Sequence, residues 1–242
     1  MEEAIRFVEG NDELARALGV EGPEELAVRP LAQGEHNVNF LLRAGDGRCF
    51  VLRINCASQL GLADQIGYEY GALRVLAPSG RTPEPLYVDG TRRRIGRGVL
   101  VESFVEGSWI DLRDPRQVRE AARALADVHS VAAPPDGALL RPEDPLRAQL
   151  ESCRRLFDGY RGSDLAEARV VGAVDELLAL AQRAVDAAPS TSTAERSHVL
   201  NTEAVPSHFL IDAAGRASIV DWEKPVLGEV AQDVAYFLSP TT

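Results

Sequence analysis

Three residues near the carboxyl end are placed to act together: Glu203, His208 and Asp221, within "NTEAVPSHFLID" and "VDWEKP". If residues 209–221 form a hairpin turning at Ala214–Gly215, positions equidistant from the turn face each other. His208 and Asp221 are then expected as cross-strand neighbours, with Cβ atoms about 5 Å apart. Glu203, in the preceding loop, can curl back toward them. Two carboxylates and an imidazole then meet at the open end of a hairpin, and the imidazole and Asp221 are metal-capable. The alternative is a pair of polar strand ends in solvent. A second constellation is Arg53 with Glu69. Glu69 follows Ile66 by three residues and precedes Leu73 by four, which puts it on the packed side of a helix. A buried carboxylate needs a cation or takes up a proton. Arg53 is its natural partner, either as a structural ion pair or as a fixed cation presented to phosphate oxygens. Gly34, in "QGEHNVNF", reads as a turn opening a hairpin, while His36 and His129 read as surface or packing residues.

Several elements must position these groups. "VNFLLRA" and "RCFVLRI" alternate as two strands around "GDG", with Cys49, Val51 and Arg53 on one face and Phe50, Leu52 and Ile54 on the other. Residues 63–77 read as a helix with Ile66, Tyr70, Leu73 and Ala77 as its apolar stripe. "VLVESFVEG" is a further strand. Upstream, residues 1–28 look helical, with "EGPEEL" opening a second helix. Downstream, Asp114 is the expected N-cap of a helix that turns Val118, Ala121, Leu125 and Val128 to one side. Two long helices follow, then a polar loop "PSTSTAERS", the hairpin, and a last helix "EVAQDVAYFL". The organisation is α+β: a strand-rich lobe over residues 1–104 and a mainly helical lobe over 105–242.

Bulk properties narrow the function classes. A net charge of -11 argues against a nucleic-acid surface. No run of about 18 apolar residues occurs, so no membrane span is expected. The start, "MEEAIRFVEG", lacks the basic residues and apolar core of a signal peptide. Cys49, Cys56 and Cys153 have no metal-ligand spacing and read as reduced thiols, so the expected location is cytoplasmic. Lys224 is the sole lysine, so any site that needs a fixed cation uses Arg unless it uses Lys224.

The order of Gly turn, strand cation, helix Glu, linker strand, long helices, loop carboxylate and hairpin-end Asp resembles the aminoglycoside phosphotransferase and choline kinase-like family. The most specific piece is "IVDWEKPVLGEVAQDVAYFL", similar to that family's I-D-W-E followed by glycine, an acidic residue and D-x-A-Y. "VLVESFVEG", "ALADVHSV" and "TPEPLYVD" fit other stretches of it. The resemblance implies a two-lobed protein kinase-like fold, with an N-terminal antiparallel sheet lobe and a mainly helical C-terminal lobe. It implies an ATP-dependent phosphotransferase whose acceptor is the hydroxyl of an aminoglycoside-, choline- or sugar-like small molecule. Asp221 matches the family's Mg²⁺-holding Asp, Arg53 the cation on the α- and β-phosphates, and Glu69 its helix partner. Val51 is expected against adenine, the linker near Ser103 and Val105 at the adenine edge, and Gly34 with Asn37 in the phosphate-covering turn.

The family's H-x-D-x-x-x-x-N loop is altered here. Asn201 stands at the His position, Glu203 at the Asp and His208 at the Asn. Glu203 retains a carboxylate that can accept a hydroxyl proton. His208 turns the metal preference toward softer ions such as Mn²⁺. The alternative to an enzyme is a catalytically impaired, kinase-like nucleotide-binding module. The family continues for several helices past D-x-A-Y, so truncation at the C-terminus is expected, with Val234, Phe237 and Leu238 left without downstream partners.

Overall fold

A computed structural model describes residues 1–58, 60–134, 137–188 and 197–239. All but the last residue of the predicted loop "PSTSTAERS" lies outside the described residues. The chain divides into two compact units, Met1–Leu140 with His198–Thr242, and Arg141–Ser197.

The first unit opens with helices α1 (Glu2–Val8) and α2 (Asp12–Leu18). The Asn11 side chain caps α2 by accepting the Leu14 N–H at 3.1 Å. "EGPEEL" makes only a single 3-10 turn, and the chain then enters a strand rather than the helix expected there. That strand, β1 (Ala27–Gln33), has six of its seven residues exposed, so it carried no apolar alternation to read. It edges a five-stranded antiparallel sheet with β2 (Asn37–Arg43), β3 (Cys49–Asn55), β4 (Pro85–Asp89) and β5 (Val99–Ser103), in the order β1-β2-β3-β5-β4.

The two faces of this sheet have different tasks. Phe50, Leu52 and Ile54 join Phe40, Leu42, Val99 and Val101 against Ala4, Phe7, Leu14 and Leu18 of the N-terminal helices. The opposite face carries Arg53 beside Leu100 and Val51 beside Glu102. Helix α3 (Gln65–Leu76) packs there, capped by the Asp64 side chain. Its buried side is Ile66, Glu69, Ala72, Leu73 and Leu76. The predicted stripe is therefore corrected at its end: Ala77 lies past the helix and is exposed, and Tyr70 is only half-buried.

Helix α4 (Pro115–His129), with Asp114 as N-cap, follows β5 and the short β6 (Ser108–Trp109). The second unit is built of α5 (Pro145–Arg161) and α6 (Ala168–Ala187), joined for instance by Arg154 donating to Gln182 Oε1 at 2.8 Å. The first unit then resumes with β7 (His198–Leu200), β8 (Phe209–Ile211), β9 (Ala217–Ile219), β10 (Val226–Gly228) and α7 (Ala231–Leu238). These strands form two small sheets, β6-β8-β9 and β10-β7. Phe237 of α7 packs on an upstream ring, meeting Phe209 edge-on at 5.1 Å. Val234 and Leu238 are exposed.

The β2–β3 and β8–β9 hairpins close alike. In the first, Ala44 N–H bonds Arg48 O and Gly47 N–H bonds Ala44 O, with Gly47 at φ 91°. In the second, Asp212 N–H bonds Arg216 O and Gly215 N–H bonds Asp212 O, with Gly215 at φ 79°. Each is a three-residue turn ended by a left-handed glycine. This shifts the expected register by one residue. Phe209 faces Ile219 and Ile211 faces Ala217, and the Val220 N–H bonds the His208 carbonyl at 2.9 Å. His208 is thus opposite Val220, not Asp221.

Candidate active site

Two loops lie side by side because of how the small strands pair. The chain leaves β7 into residues 201–208, and leaves β9 into residues 220–225, and β10 returns to pair with β7. Side chains then tie the loops together. Asn201 Nδ2 donates to the Asp221 carbonyl at 2.9 Å, and Thr202 Oγ1 to the Lys224 carbonyl at 2.8 Å. The Glu203 N–H donates to Asn201 Oδ1 at 3.1 Å. Beneath them Asp233 of α7 is fully buried and accepts three bonds. These come from the Asn201 N–H at 3.0 Å, the Thr202 N–H at 2.8 Å and His129 Nε2 at 2.9 Å. His129 is thus a buried packing residue with a specific partner. Thr202 and Asp221 both adopt φ 64°, the left-handed region that β-branched residues strongly avoid. The bonds that Thr202 donates, from its N–H to Asp233 and from its hydroxyl to the Lys224 carbonyl, hold it there. The bend at Asp221 turns its side chain out of the strand, so the meeting with His208 survives the register shift: His208 Nε2 lies 3.7 Å from Asp221 Oδ2.

Arg53 reaches this loop pair from the sheet. Its Nη2 lies 2.8 Å from Asp221 Oδ1, and its Nη1 lies 3.2 Å from Glu69 Oε2 and 3.6 Å from Glu223 Oε1. Helix α3 fixes the other side with residues one turn apart. Gln65 Nε2 donates to Glu69 Oε1 at 2.9 Å and to the Glu223 carbonyl, and the Tyr68 hydroxyl donates to the Pro225 carbonyl. Burial works against the Arg53 charge, but Asp221, Glu69 and Glu102 outweigh it and hold the guanidinium pKa above its ordinary value. Burial pushes the Glu69 carboxyl up to about 7, only partly offset by Arg53 and Gln65. It pushes Glu102 up to about 7 as well, with Arg53 opposing and Asp221 reinforcing. Asp221 goes the other way: burial would raise it, but Arg53 above all holds it below the usual carboxylate range. Two buried nitrogens, Arg53 Nε and His208 Nδ1, have no hydrogen-bond partner among the described residues.

The remaining predicted residues fall around this centre. Gly34 sits in the β1–β2 turn, its N–H bonded to the Asn37 carbonyl at 2.9 Å. Asn37 is buried, donating from Nδ2 to Glu223 Oε1 and accepting from Asn55 Nδ2 at 3.1 Å. His36 Nδ1 lies 3.8 Å from Glu223 Oε2, so this histidine borders the site instead of standing apart from it. Val51 is half-buried on the Arg53 face. The Ser103 N–H donates to the Glu84 carbonyl at 2.9 Å and its hydroxyl accepts the Glu84 N–H at 2.8 Å. The Ser103 N–H is therefore engaged within the strand edge. Glu203 Oε2 is 3.1 Å from Lys224 Nζ.

A model of the phosphotransferase enzyme family, abbreviated APH, matches residues 27–242. The chain belongs to this family. Homoserine kinases of Rhizobium meliloti (strain 1021) and Sinorhizobium fredii (strain NBRC 101917 / NGR234) are each 33% identical over 127 residues. That stretch covers 49% of this phosphotransferase-family chain and 37% of each relative. Among solved structures, a candidate aminoglycoside phosphotransferase from Ralstonia eutropha JMP134 superposes with a TM-score of 0.71 at 20% identity, covering 94% of this chain and 69% of that one. Spectinomycin phosphotransferase APH(9)-Ia, in complex with ADP and spectinomycin, gives 0.65 at 11% identity, covering 87% and 67%. These likenesses establish the two-lobed kinase-like fold with its antiparallel N-terminal sheet.

Against this family's pattern, some residues that frame the site went unread in the sequence. Glu223 and Asp233 were visible as letters of D-W-E and D-x-A-Y, but their partners were not. Glu102 carried no signal, because only strand register shows that it shares the Arg53 face. The described residues contain no group of three or more His, Cys, Asp or Glu arranged to hold a metal unaided. Asp221 and His208 offer two donors at one point, with the Asp221 side chain 35% exposed. That suits an ion held by one or two protein groups together with phosphate oxygens.

Proposed function

We propose that this chain is an ATP-dependent phosphotransferase that moves the γ-phosphoryl group to a hydroxyl of an aminoglycoside-, choline- or sugar-like small molecule. The observation that carries this reading is the convergence of Arg53 and Asp221, 2.8 Å apart, on the loop pair that bears Glu203. Residues 1–104 serve as the nucleotide lobe and residues 105–242 as the helical lobe. Arg53, backed by Glu69, faces the α- and β-phosphates. Val51 and the linker through Val105 receive adenine, and the turn of Gly34 and Asn37 covers the phosphates. Asp221 and His208 are the residues that would hold Mg²⁺ or, given the imidazole, Mn²⁺. Such an ion would supply charge neutralisation on the nucleotide phosphates. Glu203 orients the acceptor hydroxyl and accepts its proton, while Asn201 positions Glu203 through its backbone. The names of the relatives support a hydroxyl acceptor, since homoserine and spectinomycin both offer one.

Melting temperature in ATP with Mg²⁺ or Mn²⁺ tests the binding half, and ADP production with homoserine, spectinomycin and hygromycin B tests the transfer half. Wild type and Glu203→Gln should both be stabilised by nucleotide. Turnover in Glu203→Gln should fall by about 10²-fold or more. No stabilisation by any nucleotide sinks the reading. Binding without turnover for every acceptor leaves a nucleotide-binding module in its place.

A further inference from the structure

One cation near the site has no part in the roles above. Lys224 is the only lysine in a chain with 26 lysine and arginine residues. Its Nζ stands 3.1 Å from Glu203 Oε2, the carboxylate assigned to the acceptor hydroxyl. The main chain around it is held from two sides. Thr202 Oγ1 donates to the Lys224 carbonyl at 2.8 Å, while Gln65 and Tyr68 donate to the carbonyls of Glu223 and Pro225. The ammonium therefore swings from a fixed root. Arg53 cannot serve the same end, because its guanidinium is shared among Glu69, Asp221 and Glu223.

The residue type matters. A lysine carries a compact charge on a flexible stem, whereas an arginine fork prefers one planar partner. Charge also shifts during transfer. The acceptor oxygen bonds to the γ-phosphorus, and the bond from that phosphorus to the bridging oxygen breaks, its electron pair leaving on ADP. The hydroxyl proton passes to Glu203, whose carboxylate becomes neutral and loses most of its hold on the ammonium beside it. At that moment negative charge is spread over the phosphoryl oxygens, where a nearby cation stabilises most.

We propose that Lys224 is a catalytic residue of this transfer: its ammonium is stored on Glu203 and passes to the phosphoryl oxygens as Glu203 takes the acceptor proton. The proposal rests on the phosphotransferase reading, and its test separates the two. With the acceptor that supports turnover (homoserine, spectinomycin or hygromycin B) present at saturation, so that its hydroxyl proton lies between it and Glu203, the affinities of the full chain for Mg²⁺·AMP-PNP and for Mg²⁺·ADP with aluminium fluoride, a mimic of the phosphoryl group in flight, are measured by calorimetry. Lys224→Met should keep AMP-PNP affinity within about threefold and lose about 10²-fold for the aluminium fluoride complex. Lys224→Arg, which keeps the charge on a stiffer head, should lose about tenfold or less. The double variant Glu203→Gln/Lys224→Met should bind the mimic more weakly than Glu203→Gln alone.

Three results overturn the proposal while the phosphotransferase reading stands. These are Lys224→Met that leaves affinity for the mimic unchanged, Lys224→Met that weakens both ligands equally, and a double variant that binds the mimic no more weakly than Glu203→Gln alone. Wild type that binds neither ligand removes the phosphotransferase reading, and this role with it.

Discussion

Asp233 and Glu69 are both almost completely buried carboxylates, yet they live in opposite surroundings. Asp233 accepts two backbone N–H groups and His129, so its oxygens are engaged by neighbours with no freedom to leave. Glu69 competes for one guanidinium with Asp221 and Glu223, and burial lifts it to about 7. Around it stand Glu102, also lifted to about 7, and two buried nitrogens with no hydrogen-bond partner among the described residues. The first cluster is closed and builds the loop pair. The second carries more buried charge than it satisfies, which is the condition that makes a site useful to a ligand bringing its own charge. The contrast separates the group that shapes the loops from the groups gathered around the Arg53 guanidinium.

The largest effect should come from breaking the closed cluster. Asp233→Ala strips the acceptor from two loop N–H groups and His129, and should lower unfolding free energy by about 3–5 kcal/mol in urea titrations. A loss under about 1 kcal/mol would mean that the loops are held by something else. Arg53→Met should cost less, about 1–3 kcal/mol at pH 8, because Glu69 can answer by taking up a proton. The cost should shrink at pH 5, where that carboxyl is already protonated.

Glu102→Gln should act in the other direction. The folded Glu102 has its pKa raised from 4.5 to about 7, so the folded state binds the extra proton. Its contribution is therefore fully present below the unfolded value and is lost as pH rises through about 7. An amide removes that loss, so the variant should gain about 1–2 kcal/mol over wild type at pH 8 and little at pH 5. Equal melting temperatures of the two proteins across that range would remove Glu102 from the strained cluster.

The sequence reached much of this arrangement, and its failures have physical causes. Alternation in "RCFVLRI" sorted Arg53 from Phe50, Leu52 and Ile54, and helical spacing put Glu69 on the packed side of α3. Strand β1 escaped because an exposed edge needs no apolar alternation. The hairpin register failed by one residue because a three-residue turn and a two-residue turn use the same kinds of residue. His208 and Asp221 approach each other all the same, through the left-handed bend at Asp221 that no spacing rule foresees.

Periodicity and turn chemistry were enough to put Arg53 on a strand face and Glu69 on the packed side of a helix, since each depends on contacts within a short span of chain. Partners far apart along the chain had to wait for the folded state. Arg53 meets Asp221 across 168 positions and Asn37 meets Glu223 across 186. Which carboxylates crowd the guanidinium, and which residue shares its charge with Glu203, depends on strand order and loop wiring. Those are settled by packing, because only the assembled core brings the sheet face, helix α3 and the two loops to one place.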